Sequence, residues 1–276
     1  TGHCTYFDYV GCNKWKILCK DCPQKKSYPR SLLVDRSEKN FTEKKELFTS
    51  LNNLTIVPVS NWLGSLVKES FLKDYPIRVI HNGIDIAKFK PLSRQDSLIS
   101  KYGICGKKII LGVAGVWSKR KGLRDFILLS QRINSDYKIL LVGLTDSQIA
   151  KLPRGIIGIK KTESVEQLAE LYSMADVFVN PTYEDTFPTT NLEALACGTP
   201  AVVYRTGGNI ESVNECVGRI VDKGDIDGLS KAISDVISLG KDKFMQTCRE
   251  TAVKFYDKDK VFKEYVKLFE ELIRCN

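Results

Sequence analysis

Three carboxylates, Glu184, Asp185 and Glu193, fall within one short stretch of the chain. Residues 177–200 read as a buried strand, an acidic loop containing a proline, and a short helix ended by glycine. Another apolar run, 201–204, begins the next strand. In a parallel sheet, the crevice at the carboxyl ends of such strands is where ligands bind. A helix that starts there turns unpaired N–H groups and the positive end of its dipole toward an anion. Acidic side chains beside an anion site need a reason to be there. Holding hydroxyl groups, as a carboxylate holds a ribose or sugar diol, supplies one. The chemistry implied is that of a nucleotide-sugar site. A plainer alternative stands beside it: Thr190-x-x-Glu193 is also a capping box, in which Glu193 only satisfies the start of its own helix.

A second set of residues belongs to the same chemistry. Gly112 to Gly122 follows an apolar strand and contains Gly115, Lys119, Arg120 and Lys121. Glycines at a strand end before a helix suit a phosphate, and cations neutralise a departing diphosphate. The alternative is a solvated basic turn. Lys160 and Lys161, after another strand, would line the same crevice, and Gly207-Gly208 allows close backbone approach to a ligand. A helix-initiating turn explains that glycine pair equally well.

These residues resemble the motifs of retaining family-4 glycosyltransferases with the GT-B fold. The acidic block resembles E-x7-E followed by E-A-x-A-x-G-x-P. Glu184 and Glu193 are separated by eight residues, whereas Asp185 and Glu193 are separated by the motif's seven. The first acid is therefore Asp185, or Glu184 with a one-residue bulge. The basic segment resembles G-R-L-x-x-x-K-G, with Lys121 and Gly122 in register and Val116 at the arginine position; Arg120 or Lys119 could supply that charge. Residues 206–211 resemble a G-G-x-x-E turn. His81-Asn82-Gly83-Ile84-Asp85 resembles P-N-G-I-D, with His81, read as structural, in place of proline.

The resemblance implies that Glu184 or Asp185 handles the transferred sugar and Lys121 the leaving diphosphate. It further implies that Glu193 takes the ribose, that the backbone N–H groups of Thr189 and Thr190 hold the phosphates, and that Gly115, Arg120, Lys160, Gly207 and Gly208 complete the donor site. The implied reaction moves a sugar from a nucleoside-diphosphate sugar to a hydroxyl of a glycan or lipid-linked acceptor, with retention of configuration and no catalytic metal.

The elements that must position these residues alternate. Strands are predicted over 54–59, 77–80, 109–114, 139–142, 156–159, at the start of the 177–200 block, and over 201–204 and 219–221. Helices are predicted over 37–50, 60–72, 121–133, 146–152, 165–174, within the 177–200 block and over 227–239, with one or two more over 243–274. Thr145-x-x-Gln148 and Ser164-x-x-Gln167 read as capping boxes. This order predicts an α/β protein with a complete Rossmann-like, doubly wound C-terminal domain and an incomplete N-terminal Rossmann-like domain. The expected division is 1–78 for a partial acceptor-side domain, 79–256 for the donor domain, and 257–276 for a helix crossing back to the first. The chain opens on Thr1 inside a patterned segment, so it reads as N-terminally truncated. A donor-binding module with little turnover is the alternative that follows.

Residues 1–30 differ in character. Cys4, Cys12, Cys19 and Cys22 lie in one aromatic, lysine-rich segment, and Cys19-x-x-Cys22 has zinc-ligand spacing, with His3 as a spare ligand. A structural zinc and four reduced thiols packed around Tyr6, Phe7 and Trp15 are both consistent with that pattern. The segment also resembles one found in capsule and exopolysaccharide members of the same family.

Composition sets the outer bounds. The 276 residues are 43% hydrophobic and 27% charged, which is ordinary globular usage, and no apolar run approaches the ~18 residues of a membrane span. Two histidines argue against a histidine-based hydrolase. The net charge of +9 suits an anionic donor, a lipid-linked acceptor or peripheral contact with a membrane. A zinc-knuckle nucleic-acid binder would explain nothing after residue 30, so no nucleic-acid partner is expected. Scattered cysteines fit a reducing cytoplasm, with the inner face of the membrane as the expected place of work.

Overall fold

The computed structural model describes residues 12–25, 31, 33–93 and 96–274. The chain divides into two compact units, residues 1–79 and 80–276.

In the first unit a short 3-10 turn, Lys14–Lys16, buries Trp15, and two helices follow, α1 (Ser37–Thr49) and α2 (Asn61–Lys68). Ser60 caps α2 by accepting from the Leu63 amide at 3.1 Å. Two sequence expectations are corrected here. The helix expected to reach residue 72 stops at Lys68, because the Ser70 hydroxyl donates to the Val67 carbonyl and accepts from the Leu72 amide, taking over the backbone groups a further turn would use. The strands expected over 54–59 and 77–80 reduce to a single parallel bridge, Ile56 to Ile77. Pro58 removes a ladder donor, and an isolated parallel pair has little to stabilise it.

The second unit begins with α3 (Asp96–Tyr102), a helix not expected from the sequence, followed by alternating strands and helices. These are β1 (Lys108–Val113), α4 (Leu123–Leu129), β2 (Tyr137–Val142), α5 (Asp146–Ile149), β3 (Ile156–Ile159) and α6 (Val165–Met174). Then come β4 (Val177–Asn180), α7 (Thr189–Ala196), β5 (Ala201–Tyr204), β6 (Gly218–Val221), α8 (Ile226–Leu239), α9 (Asp242–Phe255) and α10 (Lys258–Arg274). The six strands form one sheet in the order β3-β2-β1-β4-β5-β6, with every neighbouring pair parallel. Ile109, Ile110 and Leu111 on β1 and Val177 and Phe178 on β4 are fully buried. Helices cover both faces, which is why these strands read as unbroken apolar runs.

The strand order reverses between β1 and β4, whose registers join Ile110 to Val177. Outside the carboxyl ends of these two strands, the connections leave in opposite directions and open a crevice. This is the Rossmann-like, doubly wound arrangement.

Local chemistry sets the boundaries. Thr145 forms the expected capping box with Gln148. Ser164 caps α6, but Gln167 reaches back to the Glu163 amide, one residue before the cap, so the second box is only half formed. The helix expected over 121–133 is interrupted. A 3-10 turn, Lys119–Lys121, precedes Gly122, whose φ of 74° is left-handed, and α4 starts only at Leu123. A Cβ at Gly122 would stand 2.3 Å from the Pro181 carbonyl oxygen, so the turn lies directly on the loop after β4. At the other end, Ile84 bridges to Asp257, and Lys258 pairs with Asp85 at 2.6 Å, fixing the start of α10 within this unit.

Candidate functional site

The loops after β1 and β4 are tied together by backbone. The Arg120 carbonyl accepts from the Tyr183 amide at 2.7 Å and from the Thr182 hydroxyl at 3.2 Å. Tyr183 donates its hydroxyl to Asp125 in the first turn of α4 at 3.3 Å. Burial raises the Asp125 carboxyl, and the Tyr183 and Tyr204 hydroxyls facing it oppose that rise. Between these ties the Lys121 ammonium meets the Asp185 carboxylate at 2.5 Å, with side chains 25% and 15% exposed. The Asp185 carbonyl accepts from the Gly208 amide at 3.0 Å. Glu184 is buried, and its carbonyl accepts from the Thr182 hydroxyl at 3.0 Å. Of the two adjacent acids, Asp185 is the one turned to the lysine.

The helix after this loop begins without a side-chain cap. Its N-cap residue is Pro188, so the Thr190-x-x-Glu193 capping box does not form. That leaves the first amides of α7, Thr189 and Thr190 among them, as anion-seeking groups. Glu193 is held elsewhere. Its Oε2 accepts from the Tyr172 hydroxyl at 2.9 Å. Burial raises the Glu193 carboxyl, and hydrogen bonds from Tyr172 and the Thr189 side chain pull it back.

The profile of the family described as Glycosyl transferases group 1 matches residues 94–255, more than half of the chain and the whole of this sheet. The chain belongs to that family. Aligned over 200 residues, it is 27% identical to alpha-maltose-1-phosphate synthase of Mycobacterium tuberculosis, covering 64% of this chain and 52% of that protein. It is 30% identical over 229 residues to the putative glycosyltransferase YtcC of Bacillus subtilis, covering 72% of this chain and 56% of the relative. The chain thus spans about half the length of these curated relatives. The crystal structure of Anabaena HepE in complex with UDP-glucose superposes with a TM-score of 0.71 at 18% identity, covering 84% of this chain and 68% of that one. That likeness shows the shared fold, GT-B.

Within this group 1 chain, the other sequence-derived candidates are distributed as follows. Arg120 is exposed and serves the site through its carbonyl. Gly115 lies in open space, and Val116, at the family's arginine position, is exposed, so that position carries no cation. Lys160 pairs with Asp146 at 2.6 Å on the surface. Gly207 and Gly208 begin a 3-10 turn, Gly207–Ser212, joined to the acidic loop through the Gly208 amide.

Several positioning residues escaped sequence reasoning. Asn180 at the end of β4, Asn191 in α7 and Asn209 in the 3-10 turn form a buried triad. Asn180 Nδ2 donates to Asn191 Oδ1 at 2.9 Å, and Asn191 Nδ2 donates to Asn209 Oδ1 at 2.9 Å and to the Ser212 hydroxyl at 3.0 Å. Asn209 Nδ2 closes the set on the Tyr204 carbonyl at 2.9 Å. His81 stacks on Phe187, with ring centroids 4.6 Å apart, and its Nε2 lies 3.2 Å from Glu211 Oε2. Asn82 donates to the Phe187 carbonyl at 3.0 Å. The G-G-x-x-E glutamate and the His-Asn-Gly element were both visible as motifs; their meeting was not.

The cysteine segment yields no metal geometry among the described residues. Cys12, Cys19 and Cys22 carry no disulfide, and no group of three or more His, Cys, Asp or Glu side chains converges. Burial pushes the Cys22 thiol up. Cys4 and His3 lie outside the described residues. Among the described residues no helix is long and apolar enough to cross a membrane.

Proposed function

We propose that this chain carries the donor site of a retaining glycosyltransferase that moves a sugar from a nucleoside-diphosphate sugar to a hydroxyl of a glycan or lipid-linked acceptor. The observation that carries the reading is the Lys121–Asp185 contact between the loops after β1 and β4, at the sheet's reversal point, with the uncapped α7 following Asp185 in the same connection. A cation and free amides draw the diphosphate, and a carboxylate beside them receives sugar hydroxyls. Lys121 stabilises the departing diphosphate. Thr189 and Thr190 hold its oxygens through their amides. Asp185, with seven residues between it and Glu193, holds the sugar, and Glu193, oriented by Tyr172, takes the ribose. Gly115, Gly207 and Gly208 leave room for the donor. None of these roles calls for a metal. The UDP-glucose bound by the Anabaena protein of the same fold supports a donor of this class. The net charge of +9 favours anionic partners, a lipid-linked acceptor at a cytoplasmic membrane face among them.

The test is a thermal-shift panel of UDP, GDP and ADP with their sugar conjugates, on the wild type and on Glu193→Gln and Lys121→Ala. A ligand at 100 times its Kd adds roughly 2.7 kcal/mol of stability. Stabilisation by one nucleotide class, reduced in both variants, is expected. A silent panel on a folded wild type defeats the reading.

A further inference from the structure

We infer that Asp185 is a specificity residue that makes the site favour a sugar-loaded donor over the bare nucleoside diphosphate left after transfer. The inference rests on the donor reading above and goes beyond it, because it assigns the carboxylate a second, repulsive task.

The backbone holds the two loops that carry these charges together. The Lys121 amide donates to the Ser118 carbonyl at 3.0 Å, and the neighbouring Arg120 carbonyl is bound by Tyr183 and Thr182. On the facing loop, the Asp185 carbonyl takes the Gly208 amide. Gly122 seats the basic turn against Pro181 with no space for a side chain. The loops are therefore fixed on both sides of the 2.5 Å contact between Lys121 and Asp185. Any phosphate that reaches Lys121 lies beside the Asp185 carboxylate as well.

That carboxylate meets two different ligands in one turnover. In a nucleotide sugar, the outer phosphate is a diester-like group with a single negative charge, and the sugar behind it offers hydroxyl donors, which the carboxylate accepts. Transfer breaks the bond between the anomeric carbon and the outer phosphate oxygen and forms the bond to the acceptor oxygen. The electron pair of the broken bond stays on the phosphate, and the acceptor's hydroxyl proton leaves to the medium. The phosphate left behind gains negative charge and loses its sugar hydroxyls at the same moment. Beside a part-buried carboxylate, added like charge is unfavourable, and nothing remains to donate a hydrogen bond. Asp185 thus favours the loaded donor by attraction and the departure of product by repulsion, the two halves of a specificity difference.

The experiment is a titration calorimetry comparison of the wild type and Asp185→Asn with three pairs of probes: UDP and UDP-glucose, GDP and GDP-mannose, ADP and ADP-glucose. For the pair that the wild type binds, Asp185→Asn is expected to bind the bare diphosphate about tenfold more tightly and the nucleotide sugar no more tightly than before. A loosened fold weakens binding, so a gain in affinity cannot come from misfolding. Equal or weaker binding of both probes by Asp185→Asn overturns the inference and leaves the donor reading standing. A wild type that binds none of the six probes overturns both.

Discussion

Lys241 closes the end of α6 from 66 residues away. Its ammonium donates to the Ser173 carbonyl and, at 2.9 Å, to the Ala175 carbonyl, which places a cation at a helix C-terminus. Burial holds this lysine down at about 8 against its ordinary 10.5, although Asp176, Cys197, Cys248 and Asp242 nearby work the other way. The folded chain therefore releases this proton before the unfolded chain does. Between pH 8 and 10.5 the unfolded state binds more protons, so this group's contribution to stability rises with pH through that window and is lost as pH falls through 8. Buried Cys197 and Cys248, each pushed up to about 12, act in the opposite sense as pH rises, so the effect must be read as a difference. The unfolding free energy of the wild type minus that of Lys241→Met should increase between pH 8 and 10.5 by at most about 3 kcal/mol, measured by urea titration. A difference independent of pH would show an ordinary lysine.

At the scale of elements, the asparagine triad does what no helix or strand does alone: it fixes β4, α7 and the 3-10 turn to one another. Truncating Asn191 to alanine strips the Asn180 amide, the Asn209 side chain and the Ser212 hydroxyl of a partner in a site closed to water. Each group keeps a second, longer or separate bond, so the cost is that of the hydrogen bonds lost, ~1 kcal/mol each, and a loss of about 3 kcal/mol is expected with an unchanged denaturant slope. Nucleotide-induced stabilisation should shrink with it, because the Gly207–Gly208 turn would no longer be tied to α7. A loss below about 0.5 kcal/mol would mean that the triad is incidental. The elements themselves were legible because apolar periodicity and caps are local. The triad was not, since its members stand 11 and 29 residues apart and each asparagine alone reads as a turn or cap. The same limit applied to the interrupted helix near Gly122. Counting apolar positions cannot reveal that a carbonyl from residue 181 occupies the space above residue 122. It applied again to the strands expected in residues 54–80, where apolar runs were present but a sheet to join was not found among the described residues.

At the scale of the whole molecule, the motifs for chemistry fell almost entirely after residue 80, and so does the continuous core. Fully buried side chains run through β1, β2, β4, β5 and α8, whereas among the described residues of the first unit the buried hydrophobics are Trp15, Phe41, Val67 and Leu72. A domain of about 200 residues buries enough surface to fold alone. Residues 80–276 expressed without the first unit should therefore unfold in one cooperative urea transition and keep the nucleotide response of the full chain. The fragment carries its own reporter. Of the chain's three tryptophans it retains only Trp117, which is buried at the end of the β1 loop and donates to the Val142 carbonyl at 2.8 Å. Its fluorescence should change cooperatively on unfolding, and the midpoint should move upward when the nucleotide bound by the full chain is added. A gradual, non-cooperative change would mean that the second unit depends on residues 1–79 for its fold. A cooperative transition that no nucleotide shifts, where the full chain does respond, would place part of the donor site in the first unit and require the assignment of Lys121, Asp185 and Glu193 as a self-sufficient set to be withdrawn.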